Sequence, residues 1–309
     1  MGRVRLRLRY VLPAGGHLRG LLYALAGAVL WGLSGTAAQV LFQFHHIAPQ
    51  WLVTVRMLGA GLLLVLWLRP PFPQKRAMVF LIFAVIGLAG VQYTYLAAIA
   101  YANAATATLL QSLSVPMIAL YEGVVARKGM KPGRVVALVI AVAGTALLVL
   151  GGEHGSITVQ VNLLGVVFGL LSAVVAAFYL LASVPLVAEF GTWSTTTWGF
   201  LIGGLAMACW APPWAVQPSG SIVAVVLLTG FVVLFGTLAA FGLFLESLRT
   251  ITATEAGIAG TMEPVSAAVA AFVFLHVTLT PVQDVGGALI LLAVVLLRTG
   301  ARWATHQGG

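Results

Sequence analysis

The chain has 309 residues, of which 61% are hydrophobic and only 7% charged, and it carries a net charge of +9. A soluble globular domain has about a quarter of its residues charged, so this composition excludes one and describes a polytopic membrane protein. In a soluble protein the basic excess would suggest nucleic acid, but here the basic residues stand at the ends of apolar runs, which points to membrane orientation and to no nucleic-acid partner.

Residues 1–19 form a basic tail with Arg3, Arg5, Arg7, Arg9 and Arg19 and no acid. The apolar run behind it is too long for a signal-peptide core and has no clear cleavage site, so it reads as a retained first helix. An α-helix rises 1.5 Å per residue and the hydrocarbon core is ~30 Å thick, so about 20 apolar residues make one span. Ten spans are expected, at about 20–42, 50–68, 77–99, 104–125, 133–151, 162–186, 195–216, 221–245, 253–275 and 281–298. The breaks carry turn chemistry: Pro49, RPPFPQKR from Arg69, RKGMKPGR from Arg127, GGEHGS from Gly151, APPW from Ala211 and TPVQD from Thr280. Residues 299–309 are left as a C-terminal tail.

With the N-terminus inside, Arg69, Lys75, Arg76, Arg127, Lys128, Lys131, Arg134, Arg249, Arg298 and Arg302 fall on the cytoplasmic side together with the tail arginines. The outside loops hold no lysine or arginine. The distribution obeys the positive-inside rule and places both termini in the cytoplasm and the chain in the cell membrane.

One constant offset carries Ile99 onto Leu248, Ala104 onto Ala253, Ala107 onto Ala256 and Ser112 onto Thr261. The same offset lays GLLYALAGA (Gly20 to Ala28) on GLLSAVVAA (Gly169 to Ala177), with five identities in nine positions where about one is expected by chance. This is an internal duplication, with one repeat at 20–151 and the other at 162–298. Five spans per repeat is an odd number, so the second copy enters the membrane from the opposite side. The expected fold is all-α, ten transmembrane helices in two inverted-topology five-helix repeats, an architecture that recurs among secondary transporters.

A charge at the centre of a membrane helix costs about 2.5–3.5 kcal/mol on insertion scales and so needs a partner or a function. Two positions qualify: Glu263, about ten residues into the ninth span, and Arg56, about six into the second. One reading has them pair with each other or with backbone carbonyls for packing; the other has them line a polar cavity. Pro264 follows Glu263, and Pro116 holds nearly the equivalent place in the fourth span, so both halves carry an expected kink, the usual pointer to a transporter's central site. Trp31, Gln111, Tyr95, Asn103 and Tyr179 add polar or aromatic groups to otherwise apolar spans. Gln111 needs a hydrogen-bond partner, Asn103 lies near a span end, and Trp31 and Tyr179 serve core packing as readily as substrate. Glu122, Glu246 and Glu255 fall at cytoplasmic ends, within reach of Arg127, Lys128 or Arg249.

No phosphate-binding G-x-x-x-x-G-K-[ST] loop, H-E-x-x-H or G-x-S-x-G occurs, so neither ATP hydrolysis by that machinery nor a catalytic centre is expected. His45, His46, His154 and His276 scatter over three loops, and the lone Cys209 lies in an apolar run; neither makes a metal site. No cofactor is called for.

Trp31–Gly32, Arg56, YLAAIAYANAATATLLQSLSVP (Tyr95 to Pro116) and MEPVSAAVAAF (Met262 to Phe272) together resemble the drug/metabolite transporters, in particular the ten-helix members built from two EamA domains. The resemblance covers about residues 20–298. The first copy has Ser114-Val115-Pro116 where many members show Glu-Pro, and His276 lies where a second acid matching Glu122 would stand. The resemblance implies transport of amino acids or other small metabolites through a cavity between the halves. The expected function is a secondary transporter of small polar metabolites, working by alternating access with export favoured; a non-transport scaffold or sensor is the alternative. Its expected partners are a small-molecule substrate and the bilayer, with proton coupling through Glu263 and a homodimer left open.

Overall fold

Apolar runs of this length have no water to satisfy their backbone, so each must close its hydrogen bonds within itself as a helix. The computed structural model describes residues 14–74, 76–125, 127, 130, 132–151, 162–216 and 218–306, and among them there is no strand. The ten helices are α1 (Ala14–His45), α2 (Pro49–Leu68), α3 (Ala77–Tyr101), α4 (Ala104–Val125), α5 (Pro132–Leu150), α6 (Leu163–Phe190), α7 (Thr192–Trp210), α8 (Ile222–Ser247), α9 (in two pieces, Ala253–Ala259 and Met262–Leu275) and α10 (Pro281–His306). Among the described residues nine of them are long and apolar enough to cross a membrane, and the other is α7, whose first turns read TWSTTT. The chain is a multi-pass membrane protein. The arginines of residues 1–13, Lys75, Lys128, Lys131, Glu153 and His154 lie outside the described residues.

Several helices depart from the expected limits. α1 starts at Ala14, α6 continues to Phe190 through Pro185, and α10 runs on to His306, beyond residue 298. Hydropathy marks where the bilayer ends, not where the helix ends. In the other direction α7 stops at Trp210 instead of 216, because Pro212 and Pro213 cannot donate to a continuing helix; the Pro213 carbonyl accepts instead from the indole of Trp51 at 2.9 Å. At α10, Pro281 takes the first helical position. The Thr280 hydroxyl and the Gln283 side chain cap each other's backbone N–H at 3.2 and 3.0 Å, a buried capping box.

The packing has the two-fold relation that the duplication requires. α1 packs on α8 and α9, as α6 does on α3 and α4, while α2 pairs with α7, α4 with α9 and α5 with α10. Two crossings show the reciprocity in detail. A Cβ on Gly61 would meet the Leu201 side chain at 2.8 Å, and one on Gly204 would meet Leu58 at 2.9 Å. A Cβ on Gly144 would meet the Gly286 carbonyl at 2.7 Å, and one on Gly286 the Gly144 carbonyl at 2.7 Å. Small residues let these backbones close where lipid and leucine are equally apolar and burial gives no drive. The symmetry extends to irregularities: α3 and α8 each contain a π-helical stretch, Phe83–Ala89 and Leu234–Ala239. α4 and α9 are each interrupted, at Leu113 and at Gly260–Thr261.

Gly144→Leu places a branched side chain in the α5–α10 crossing, where overpacking costs about 1–3 kcal/mol. It is expected to lower the melting temperature of the detergent-solubilised protein. Gly133→Leu, at a glycine with nothing within 4 Å, leaves the melting temperature unchanged.

Candidate functional site

The site begins with the π-helical stretch of α8. A π turn widens the hydrogen-bond ladder and frees carbonyls that an α-helix would use. Here the Thr237 hydroxyl donates to the Val232 carbonyl five residues back, at 2.9 Å. Arg56 on α2 docks on this stretch: its Nε donates to Thr237 Oγ1 at 2.8 Å and an Nη to the Gly236 carbonyl at 3.2 Å. Arg56 is 5% exposed, and both its partners are neutral. α1 closes over the same place, because Gly236 has no side chain to collide with Ser34. The second half preserves the arrangement without the charge. Gly199 of α7 stands where Arg56 stands in α2 and lies against Phe83 and Leu88 of the α3 π-helical stretch.

Glu263 enters from α9, just after the helix is interrupted. Pro264 has no N–H for the Gly260 carbonyl, which accepts instead from the Glu263 N–H at 3.1 Å. In α4, Pro116 likewise cannot serve Ser112, and Leu113 turns back to Leu110 at 3.1 Å. Gly32 on α1 permits α9 to approach, since a Cβ there would run into Ser266 and, at 2.5 Å, the Glu263 carbonyl. Trp31, next to it, packs its ring against Phe241 and Phe244 of α8, both at 5.0 Å.

Arg56, Tyr95 of α3 and Glu263 are near enough to act on one another electrostatically. Among the described residues no ion pair joins Arg56 to Glu263. Among the described residues the Tyr95 hydroxyl, beside Gly35 of α1, is buried without a hydrogen-bond partner. A buried phenol normally finds one, so this hydroxyl is a donor held ready in the polar cluster.

The remaining expected residues do other work. Gln111 donates to Ser172 at 2.9 Å and ties α4 to α6. Asn103 is wholly buried as the N-cap of α4: its side chain accepts from the Thr106 N–H at 2.8 Å and donates to the Thr106 hydroxyl at 3.0 Å. That is a structural role, and the cap position is repeated by Thr252 in front of α9, where Thr252 and Glu255 form a capping box. Tyr179 stacks on Phe83, centroids 5.5 Å apart, in the packing between α3 and α6. Glu122 lies 3.8 Å from Arg134, Glu255 3.3 Å from His17 and Glu246 3.1 Å from Arg249. Among the described residues no cluster of three His, Cys, Asp or Glu could hold a metal.

Sequence reasoning passed over Ser34, Gln39, Gly236 and Thr237. Gln39, fully buried, accepts from the Ala104 N–H at 2.8 Å and satisfies the first turn of α4 from α1. The available signal was a polar residue inside an apolar run, the same signal that picked out Gln111. A cavity of about 950 Å³ lies elsewhere, between α4, α5 and α6, and its apolar lining of residues such as Met117, Val142 and Leu170 offers nothing to a polar solute.

Two segments, residues 18–150 and 163–299, match the EamA-like transporter family. The chain belongs to this family. It is a membrane transporter, and each EamA repeat supplies one charge to the cluster, Arg56 from the first and Glu263 from the second. A protein of Salmonella typhimurium, described as the uncharacterized inner membrane transporter YicL, is 33% identical over 93% of this chain and 98% of its own length. A Bacillus subtilis protein, described as the uncharacterized transporter YwfM, is 25% identical over 91% of this chain and 94% of its own. A chain solved by crystallography is similar in fold, with a TM-score of 0.58 at 18% identity over 91% of this chain and 97% of that one.

In this EamA-like transporter Arg56→Lys keeps the charge, but an ammonium cannot span the Thr237 hydroxyl and the Gly236 carbonyl as the planar guanidinium does. Transport in proteoliposomes is expected to fall on the order of tenfold or more, the equivalent of about one lost charged hydrogen bond. The check is initial flux at matched reconstituted protein.

Proposed function

We propose that the protein is a secondary transporter of small zwitterionic metabolites, amino acids or close relatives, working by alternating access with export as its physiological direction. The observation that carries this reading is the pair of opposite charges in one bundle interior, each supplied by a different repeat and not paired with the other. A solute carboxylate at Arg56 and an ammonium at Glu263 would neutralise both at once, and in a low-dielectric site each contact is stronger than in water. The unpartnered Tyr95 hydroxyl adds a donor for the carboxylate. A neutral solute would leave both charges uncompensated. Proteoliposome exchange with a panel of amino acids, their amides and their N-acetyl derivatives tests the reading: the parent compounds exchange, and blocking either end abolishes it. Equal exchange of blocked and parent compounds overturns it.

A second use of Glu263 is favoured by its position on an interrupted helix with no ion-pair partner among the described residues: a carboxylate that takes up a proton needs no counter-ion. Glu263→Gln separates the roles. Proton carriage predicts loss of proton-driven accumulation with equilibrium exchange retained, whereas substrate binding predicts loss of both. Unchanged transport with unchanged pH dependence leaves Glu263 a packing residue.

The orientation that goes with this function has both termini in the cytoplasm, a reading the distribution of basic residues supports. With Cys209 replaced by serine, a cysteine introduced by Glu153→Cys is expected to react with impermeant maleimide in intact cells, and one introduced by Lys75→Cys only after permeabilisation. The reverse pattern inverts the topology.

A further inference from the structure

The two-fold relation between the repeats makes every packing site at one end of the bundle comparable with a partner site at the other, and one such pair differs sharply. Gly61 and Leu58 of α2 correspond to Gly204 and Leu201 of α7, and the same register carries Trp67 onto Trp210. Along α3 and α8 the register that aligns Ile99 with Leu248 carries Tyr93 onto Gly242. Between α3 and α7, Tyr93 packs edge-on against Trp210 with centroids 4.9 Å apart and against Phe168 of α6 at 5.9 Å. Tyr101 stacks on the same Phe168 at 5.7 Å, so four rings cluster here, with Trp210 57% and Tyr101 44% exposed. At the other end, between α2 and α8, Gly242 has nothing within 4 Å, and Trp67 is 80% exposed. There the missing ring leaves a cleft of about 410 Å³, walled by Leu64 and Trp67 of α2, Leu238 and Gly242 of α8 and Trp193 of α7, with Glu246 in its lining.

The cleft shares its helices with the charged cluster, whose own residues do not line it. Leu238 follows Thr237, the residue that holds Arg56, and Leu64 lies about two turns along α2 from Arg56 itself. We propose that this cleft is where the solute enters and leaves the transporter on the cytoplasmic side, and that the Tyr93, Phe168, Trp210 and Tyr101 rings are the closed gate of the outer side. Aromatic and aliphatic walls suit a small solute with an apolar side chain, while the Glu246 carboxylate in the lining is already bonded to Arg249 at 3.1 Å. Gly242 is the residue that keeps the cytoplasmic end from sealing as the outer end does. The inference rests on the proposed transport function and orientation.

The experiment uses the full chain with Cys209 replaced by serine, in inside-out and right-side-out vesicles. The pseudo-equivalent substitutions Leu238→Cys and Ala89→Cys are labelled with a hydrophilic maleimide. Leu238→Cys is expected to react about tenfold faster than Ala89→Cys, and from the cytoplasmic face, because thiol reaction follows exposure. Equal rates, or reaction of Leu238→Cys from the outer face alone, overturn the assignment. Adding Tyr93→Ala is expected to raise labelling of Ala89→Cys from outside; no rise removes the gate. Labelling requires no solute, so its outcome is independent of whether the solute is an amino acid. Transport supplies the second measurement. Gly242→Trp, which fills the cleft, is expected to lose at least nine-tenths of the flux of the counter-exchanged amino acid, while Gly230→Trp, also at a glycine with nothing within 4 Å on α8, retains it. Normal flux through Gly242→Trp overturns the access route.

Discussion

A guanidinium buried in a membrane bundle has to be held by something, and here it is held by backbone that an ordinary helix would not make available. Arg56 bonds a hydroxyl and a carbonyl of the α8 π-helical stretch. In that stretch the Ala240 N–H reaches back five residues to the Phe235 carbonyl, and the Thr237 hydroxyl reaches back to Val232. Without the freed carbonyl, the charge would carry most of its desolvation penalty uncompensated. The π-helical stretch, the arginine and the glycine that admits α1 therefore form one unit, and the approach of α1, α2 and α8 depends on it.

The same unit explains an asymmetry within a symmetric fold. The first repeat has an identical kind of irregularity in α3, but Gly199 takes the place of the arginine there. Conversely, Glu263 of α9 corresponds to Ser114 of α4. Duplication supplies two copies of a scaffold with interrupted helices and widened turns, and divergence has left one charge on each copy, of opposite sign. Two copies of one charge would repel in the low-dielectric interior, whereas opposite charges on different repeats attract without having to touch. A site shared between repeats in this way changes when the repeats move relative to one another, which is the requirement for coupling solute binding to a conformational change.

Polar residues in an apolar span prove to have three distinct fates. Asn103 and Gln39 satisfy buried N–H groups at the start of α4 that the helix itself cannot serve, Gln111 and Ser172 bridge two helices, and Tyr95 keeps a hydroxyl unpartnered among the described residues. Of these, the last is the one buried with no partner at all among the described residues. From composition alone the three look alike, since each is a polar side chain that must not be left unsatisfied.

The sequence by itself determined the helices, the duplication, the positive-inside distribution and the two intramembrane charges, because hydrocarbon length, turn chemistry and the cost of a buried charge act within a few residues of chain. The ends of the helices were less legible: α7 stopped early at its prolines, and α10 ran on past the bilayer signal. The tertiary structure decided what each polar residue faces. Arg56 meets its partner 181 residues away, and Gln39 caps a helix 65 residues away. No local pattern encodes either meeting, because both follow from the way small residues let particular backbones cross. The contrast between a cluster of rings at one end and a cleft at the other likewise depends on Tyr93 and Gly242 occupying matched positions, which becomes visible only when the two halves are packed together.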